Sequence, residues 1–350
     1  MAKKVTKVTF ANVMQTLDGK GDIDCSNKGL TSLEGCPEKV QGNFNCSGNQ
    51  LTTLEGAPRK IKGNFNCSDN QLTALEFGPE EVKGDYDCSN NQLTSLCDAP
   101  VFVMGDFSCA GNRLTSFQCD ISSSKGSALE VVEGDFNCSG NQLTSLEGAP
   151  RIVGGDFSCS SNQLASLQGA PKKLQGDFDC SNNLLTTIEA GPEVIEGDFS
   201  CTGNQLTSLK GGSQEIGGHY DCSANKLTSL KGVHKKVKGN FNCSGNQLAS
   251  LKGAPQEVVA FDCSNNQLTT LKNAPEKVKG NFICSWNQLT TLEGSPKKVK
   301  GNFDCSGNQL TVLESSLKRV GGDFIAAENA RYFLEEEVRA ACQVKGNIVT

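Results

Sequence analysis

Fourteen cysteines stand in a single column, from Cys25 to Cys305, spaced 21 residues apart except for one interval of 29 (Cys109 to Cys138) and one of 20 (Cys243 to Cys263). Ala326 lies 21 beyond Cys305 in a worn final copy, which makes fifteen units. A chain with such a period must be read as an array before anything else, because no single segment is large enough to be a domain. One unit reads V-K-G-N-F-N-C-S-G-N-Q-L-T-S-L-E-G-A-P-K-K from Val237, and its alternation of Val237, Gly239, Phe241 and Cys243 with polar residues predicts a strand buried on one face. Asn246 ends that strand, Leu248 and Leu251 add two apolar positions, and Gly253 with Pro255 marks the return turn. Stacking such units in register buries the apolar face of each on the next and forms a continuous core.

The motif F-x-C-x-x-N-x-L-x-x-L, followed by N-Q-L-T-S-L-E-G-A-P, resembles the leucine-rich repeat, in the short bacterial and phage form of the YopM/IpaH type. The resemblance spans roughly residues 21–334 and departs from that type in two ways: the valine sits one residue further from the asparagine, and the L-P-x-L-P turn is absent. It implies a solenoid of about fifteen 21-residue leucine-rich-type repeats, with a parallel β-sheet on the concave face and irregular turns on the convex side. Nothing matches a ligase domain, so no catalytic activity is carried over. The predicted organisation is an N-terminal cap over 1–20, a solenoid over 21–326 with an inserted loop at about 118–130, and a C-terminal helical cap over 327–350. Val5, Val8, Phe10, Val13, Met14 and Leu17 are expected to seal the first rung; Ala330, Phe333, Leu334, Val338 and Ala341, on a helix over 327–343, are expected to seal the last.

The columns carry separate roles. The asparagine column (Asn49, Asn70, Asn91 and their equivalents) is expected to bond backbone where strand turns to loop, and the Phe and Leu columns to form the core. The column cysteines share the face of Phe and Val, so they read as small apolar thiols. Parallel side chains stacked in register make poor disulfides, and no C-x-x-C pair offers a zinc site. Cys36, Cys97, Cys119 and Cys342 lie off the column and are read as unreactive too. Reduced thiols, together with the lack of an apolar leader after Met1, predict a cytoplasmic, reducing location, and no apolar run is long enough for a membrane span. The repeated glycine before the strand centre implies close backbone approach rather than phosphate cradling.

Individuality must therefore lie on the outward positions. Residues 85–221 carry eighteen acidic against six basic side chains, and residues 222–350 carry eleven against seventeen, within a total formal charge of −6. The outward positions flanking Phe supply Asp85, Asp106, Asp135, Asp156, Asp177 and Asp198 in one column and Asp87, Asp179 and Asp221 in the other, with His219 among them. Ile283 and Trp286, the only tryptophan, replace polar residues further on. These twelve are the candidate partner-binding residues. With two histidines and no nucleophile, base and orienter in any recognisable spacing, no catalytic residue, metal site or cofactor is expected. The function expected is non-enzymatic protein–protein recognition through the concave face, as an inhibitor or sequestering protein acting on a partner with a basic or nucleic-acid-binding surface. Direct nucleic-acid or membrane binding is not expected. The alternative is a repetitive surface, glycan or ice, matched by the Thr column (Thr52, Thr73, Thr94 and onward) and the Gln column beginning at Gln50 and Gln71.

Overall fold

The computed structural model describes residues 7–14, 18–119 and 129–350. The expected sealing residues Val5 and Leu17, and nearly all of the inserted loop, lie outside the described residues. The chain forms two compact units, Met1–Asp177 and Phe178–Thr350, and each is a parallel β-solenoid with the expected 21-residue rung.

In the first unit the two-residue strands Ile23–Asp24, Phe44–Asn45, Phe65–Asn66, Tyr86–Asp87, Phe107–Ser108, Phe136–Asn137 and Phe157–Ser158 pair in parallel, with the Phe column in register and Ile23 and Tyr86 standing in it. In the second unit the same ladder runs from Phe178–Asp179 through Phe282–Ile283 to Phe324–Ile325. The single strand expected from Val to Cys is in fact two. A bend at the glycine splits it, and the Val positions form ladders of their own, such as Lys39–Val40, Lys60–Ile61 and Glu81–Val82. Where an Asp or Asn stands on the preceding rung, the glycine is demanded for a steric reason. A Cβ on Gly63 would lie 2.2 Å from Asn43 Oδ1 and 2.8 Å from the carbonyl carbon of Gly42 on the preceding rung.

The core follows the columns as expected. Phe, Cys and both Leu positions are essentially fully buried in rung after rung. The rings stack along each unit, with centroids 6.1 Å apart for Phe44–Phe65 and 5.5 Å for Phe282–Phe303. The asparagine column is satisfied on every side. Asn49 Nδ2 donates to the carbonyls of Cys25, Cys46 and Ser47, and its Oδ1 accepts from the backbone N–H of Lys28 and Leu30. One side chain thus pairs up to five groups that the irregular turn would leave bare, which is why Asn recurs where strand becomes loop.

At the N-terminal end a helical turn, Phe10–Val13, places Phe10 fully buried against Phe44, whereas Val13 stays exposed. The C-terminal helix covers Glu335–Ala341, shorter than the predicted 327–343. Residues before it still belong to a rung, because Asn329 makes the column's bonds to Cys305 and Ala326. Phe333 and Val338 are the buried contacts; Ala330, Leu334 and Ala341 face outward. After the helix the chain returns to the ladders. Gln343–Val344 pairs with Arg319–Val320, and Ile348–Val349 with Phe324–Ile325. The signal for this extra rung was the V-K-G-N of Val344–Asn347, identical to the consensus but displaced by the helix from the 21-residue spacing.

The expectation that Cys97 and Cys119 are inert thiols is corrected: they form a disulfide, with Cα atoms 5.5 Å apart. They occupy turns of successive units rather than the strand column, so the parallel side-chain argument does not apply to them. The column cysteines are buried thiols outside any disulfide. Among the described residues no helix is long and apolar enough to cross a membrane.

Candidate functional site

The acidic residues before each Phe form a hydrogen-bonded ladder. In the first unit, Asp85 Oδ1 accepts the backbone N–H of Asp106 (3.0 Å), Asp106 that of Asp135 (2.8 Å), Asp135 that of Asp156 (2.7 Å) and Asp156 that of Asp177 (2.7 Å). Below Asp85 the same bond is made by Asp22, Asn43 and Asn64. The position is therefore structural as well as outward-facing, which the alternation pattern could not reveal. One oxygen of each carboxylate caps the next rung, and at Asp85 the other accepts from Asn64 Nδ2 at 2.8 Å.

Magnitudes show that stability does not choose between Asp and Asn here. A charged acceptor strengthens the bond by about 1 kcal/mol over a neutral one. Like charges one rung apart, ~4.8 Å, each cost about 0.2–1 kcal/mol per neighbour. The terms oppose and nearly cancel. Five successive carboxylates in one unit are consequently not explained by folding, and no salt bridge involves Asp85, Asp106, Asp135 or Asp156 among the described residues.

In the second unit the ladder continues as Asp198 to His219 N–H (2.6 Å) and His219 Nδ1 to Asn240 N–H (2.8 Å). His219 is thus a ladder acceptor in place of Asx. The second acidic column also turns inward with one oxygen: Oδ1 of Asp87, Asp179 and Asp221 each accepts the N–H two residues on, at 2.9 Å. These three are half-buried Asx turns. The twelve candidates therefore divide into an acidic ladder, the Asx turns, and the separate pair Ile283 and Trp286.

Ile283 is half-buried and lies in register between Asp262 and Asp304. Trp286 is 54 % exposed with φ of +55°. Its column carries Gly, Asn or another residue with positive φ in every described repeat, such as Gly245, Asn265 and Gly307. A bulky residue there is strained by roughly 1–2 kcal/mol. The ring also lies flat on the next rung, since a Cβ on Gly307 would come within 2.7 Å of Trp286 Cδ2.

Two surface features were not singled out from sequence. Phe102, Val131 and Ile152 are in-register neighbours in the first unit, with Phe102 and Ile152 exposed. In the second unit a groove of about 660 Å³ has six lysines, Lys236, Lys238, Lys277, Lys279, Lys298 and Lys300, against two glutamates, Glu257 and Glu276, around a floor of valines. The regional excess of positive charge was legible, but its convergence on one groove was not.

No protein-family model matches the sequence, and no curated protein matches it. Solved structures share its fold. A leucine-rich-repeat protein of Leptospira interrogans superposes with a TM-score of 0.52 at 17% identity, covering 97% of this chain and 100% of its own. The APL1 leucine-rich repeat domain gives 0.53 at 16%, covering 82% and 87%. YopM of Yersinia pestis, a leucine-rich effector, gives 0.50 at 20%, covering 88% and 77%. The architecture is that of leucine-rich-repeat solenoids.

Proposed function

We propose that this chain is a non-enzymatic protein-recognition scaffold, and that the acidic ladder of its first unit docks a partner with a basic surface. The observation that carries the reading is the run Asp85, Asp106, Asp135, Asp156 and Asp177, whose folding role Asn would serve equally well, as Asn43 and Asn64 do on the rungs below. A row of carboxylates on a rigid face, without cations beside Asp85 to Asp156, steers a basic partner and holds it in a salt-dependent manner. Occupying a basic surface that otherwise takes nucleic acid makes the chain an inhibitor or sequestering protein. In the second unit Ile283 and Trp286 supply an apolar anchor, and the strain held at Trp286 supports a role beyond packing. The Thr column supports a lattice-binding role poorly, since Ala165 and Ala249 interrupt it.

The test is the triple variant Asp106→Asn/Asp135→Asn/Asp156→Asn, which keeps every ladder acceptor and removes three charges. Affinity capture from the source cell at low salt should retain a stoichiometric basic protein on the wild type and lose it on the variant, with melting unchanged within a few degrees. Equal capture by both would end the reading. Trp286→Gly separates the second anchor. Relief of ~1–2 kcal/mol of backbone strain roughly offsets the lost packing of a half-buried ring, ~2 kcal/mol, so stability should hardly move while affinity falls.

A further inference from the structure

The groove of the second unit lies where the repeat loses a residue. Between Val258 and Phe261 stand only Val259 and Ala260, where other units have three residues. The rung is pulled in at its bend, Val259 donates to Gly239 O at 2.9 Å, and Ala260 leaves the ladder position before Phe261 without a side-chain acceptor. The surface is dented at that point, and the half-exposed Val259 joins the buried Val237, Val258 and Val278 in the groove.

The walls are cationic in an unusual way. At the first rungs of the groove the charge is neutralised, since Lys236 pairs with Glu257 at 3.1 Å, as Lys60 pairs with Glu81 at 3.3 Å in the first unit. Lys277, Lys298 and Arg319 are instead direct in-register neighbours, with Lys279 and Lys300 beside them. Among the described residues none of these five is in a salt bridge, nor is Lys345, which shares an adjoining hollow with Lys298, Lys300 and Arg319. In-register like charges destabilise the ladder by roughly 0.2–1 kcal/mol per pair. A bound anion would remove that repulsion.

We propose that this groove binds an acidic segment of a partner protein in extended conformation. From the rung of Lys236 to that of Lys345 there are five rung spacings, about 24 Å, which matches about seven residues of extended chain. Carboxylates of such a segment meet lysines on both walls, and an intervening apolar side chain rests on Val259. Lysines offer point charges suited to flexible carboxylates. No lining residue is aromatic, so unstacked bases would find no platform, which disfavours single-stranded nucleic acid. The site is separate from the acidic ladder of the first unit, and its success or failure does not depend on that reading.

The experiment titrates the full chain into a fluorescein-labelled heptapeptide, Glu-Asp-Val-Asp-Glu-Leu-Asp, and reads anisotropy. Binding should be saturable, absent for the Gln/Asn counterpart peptide, and weakened severalfold between ~0.05 and ~0.3 M salt. The variant Lys279→Gln/Lys298→Gln/Lys300→Gln should bind about tenfold more weakly, from a factor of roughly two for each exposed charge pair. Lys39→Gln/Lys60→Gln/Lys62→Gln, in the same columns of the first unit, should bind as wild type. If the groove variant folds poorly, the wild type alone decides: the heptapeptide should protect Lys279, Lys298 and Lys300 from reductive methylation, read by mass spectrometry. Equal binding by the groove variant, absence of protection, or tighter binding of an oligodeoxynucleotide than of the peptide would each overturn the proposal.

Discussion

Gly280 and Gly301 occupy the same column on adjacent rungs, yet substitution by Ala should affect them very differently. A Cβ on Gly301 would lie 2.4 Å from Asn281 Oδ1, 2.7 Å from the Gly280 carbonyl carbon and 2.8 Å from its oxygen. To admit it, Asn281 must release the Asn302 N–H it accepts at 2.9 Å, and the rung must shift against backbone. The lost hydrogen bond is worth about 1 kcal/mol and the overpacking about 1–3 kcal/mol, together about 2–4 kcal/mol. At Gly280 the preceding rung carries Ala260 in place of Asx, and the nearest atoms, Ala260 Cβ and Val259 O, are 3.3 Å away. A displacement of a few tenths of an ångström suffices, and the cost should stay below about 1 kcal/mol, partly offset by the reduced freedom of the unfolded chain. Neither glycine has positive φ, so the left-handed region contributes nothing to the contrast. Urea denaturation followed by circular dichroism gives the comparison directly, since the rungs are neighbours and share their surroundings. Equal losses at the two sites, or a neutral Gly301→Ala, would refute the claim that the Asx ladder is what demands glycine.

Further outcomes follow from single groups. Tyr86 is buried and its hydroxyl has no hydrogen-bond partner among the described residues; Tyr86→Phe removes that desolvation penalty and should raise stability by about 1 kcal/mol in the same urea assay. Asn246→Ala abandons the Leu227 N–H and the Cys222, Cys243 and Ser244 carbonyls, and should lower it by about 3–5 kcal/mol. Burial pushes the Cys25 thiol up to about 12 and fully enclosed column thiols such as Cys46, Cys67 and Cys284 further still, so iodoacetamide at neutral pH should leave them unmodified in the native chain, detected by mass spectrometry. The Arg331 guanidinium and the Leu334 N–H together hold the Glu337 carboxyl down at about 2. Its folded value lies below its unfolded one, so its contribution is complete above the ordinary carboxylate range and fades as pH falls toward 2. Amide protection factors in Glu335–Ala341, with the intrinsic pH dependence of exchange divided out, should fall across that window, and Glu337→Gln should flatten the dependence.

Much of this was legible in the sequence because a 21-residue period repeats each physical requirement until it becomes unmistakable. The inward columns of Phe, Cys and Leu, the turn-closing asparagines and the close approach at glycine are each set by contacts every rung makes alike, so the repeat itself declares them. What only tertiary structure decided are contacts between particular rungs. Asp106 serves Asp135 across the 29-residue interval, and its inward oxygen is invisible to an alternation rule that records only which face a residue takes. Cys97 meets Cys119 because two successive turns come together, Lys277, Lys298 and Arg319 converge because their rungs pair in register, and Val344–Val349 rejoins the ladders after a helix has broken the count. Periodicity specifies the environment common to all units. The neighbour that a given side chain touches on the next rung depends on how two non-identical units stack, and that is settled only when the chain is folded.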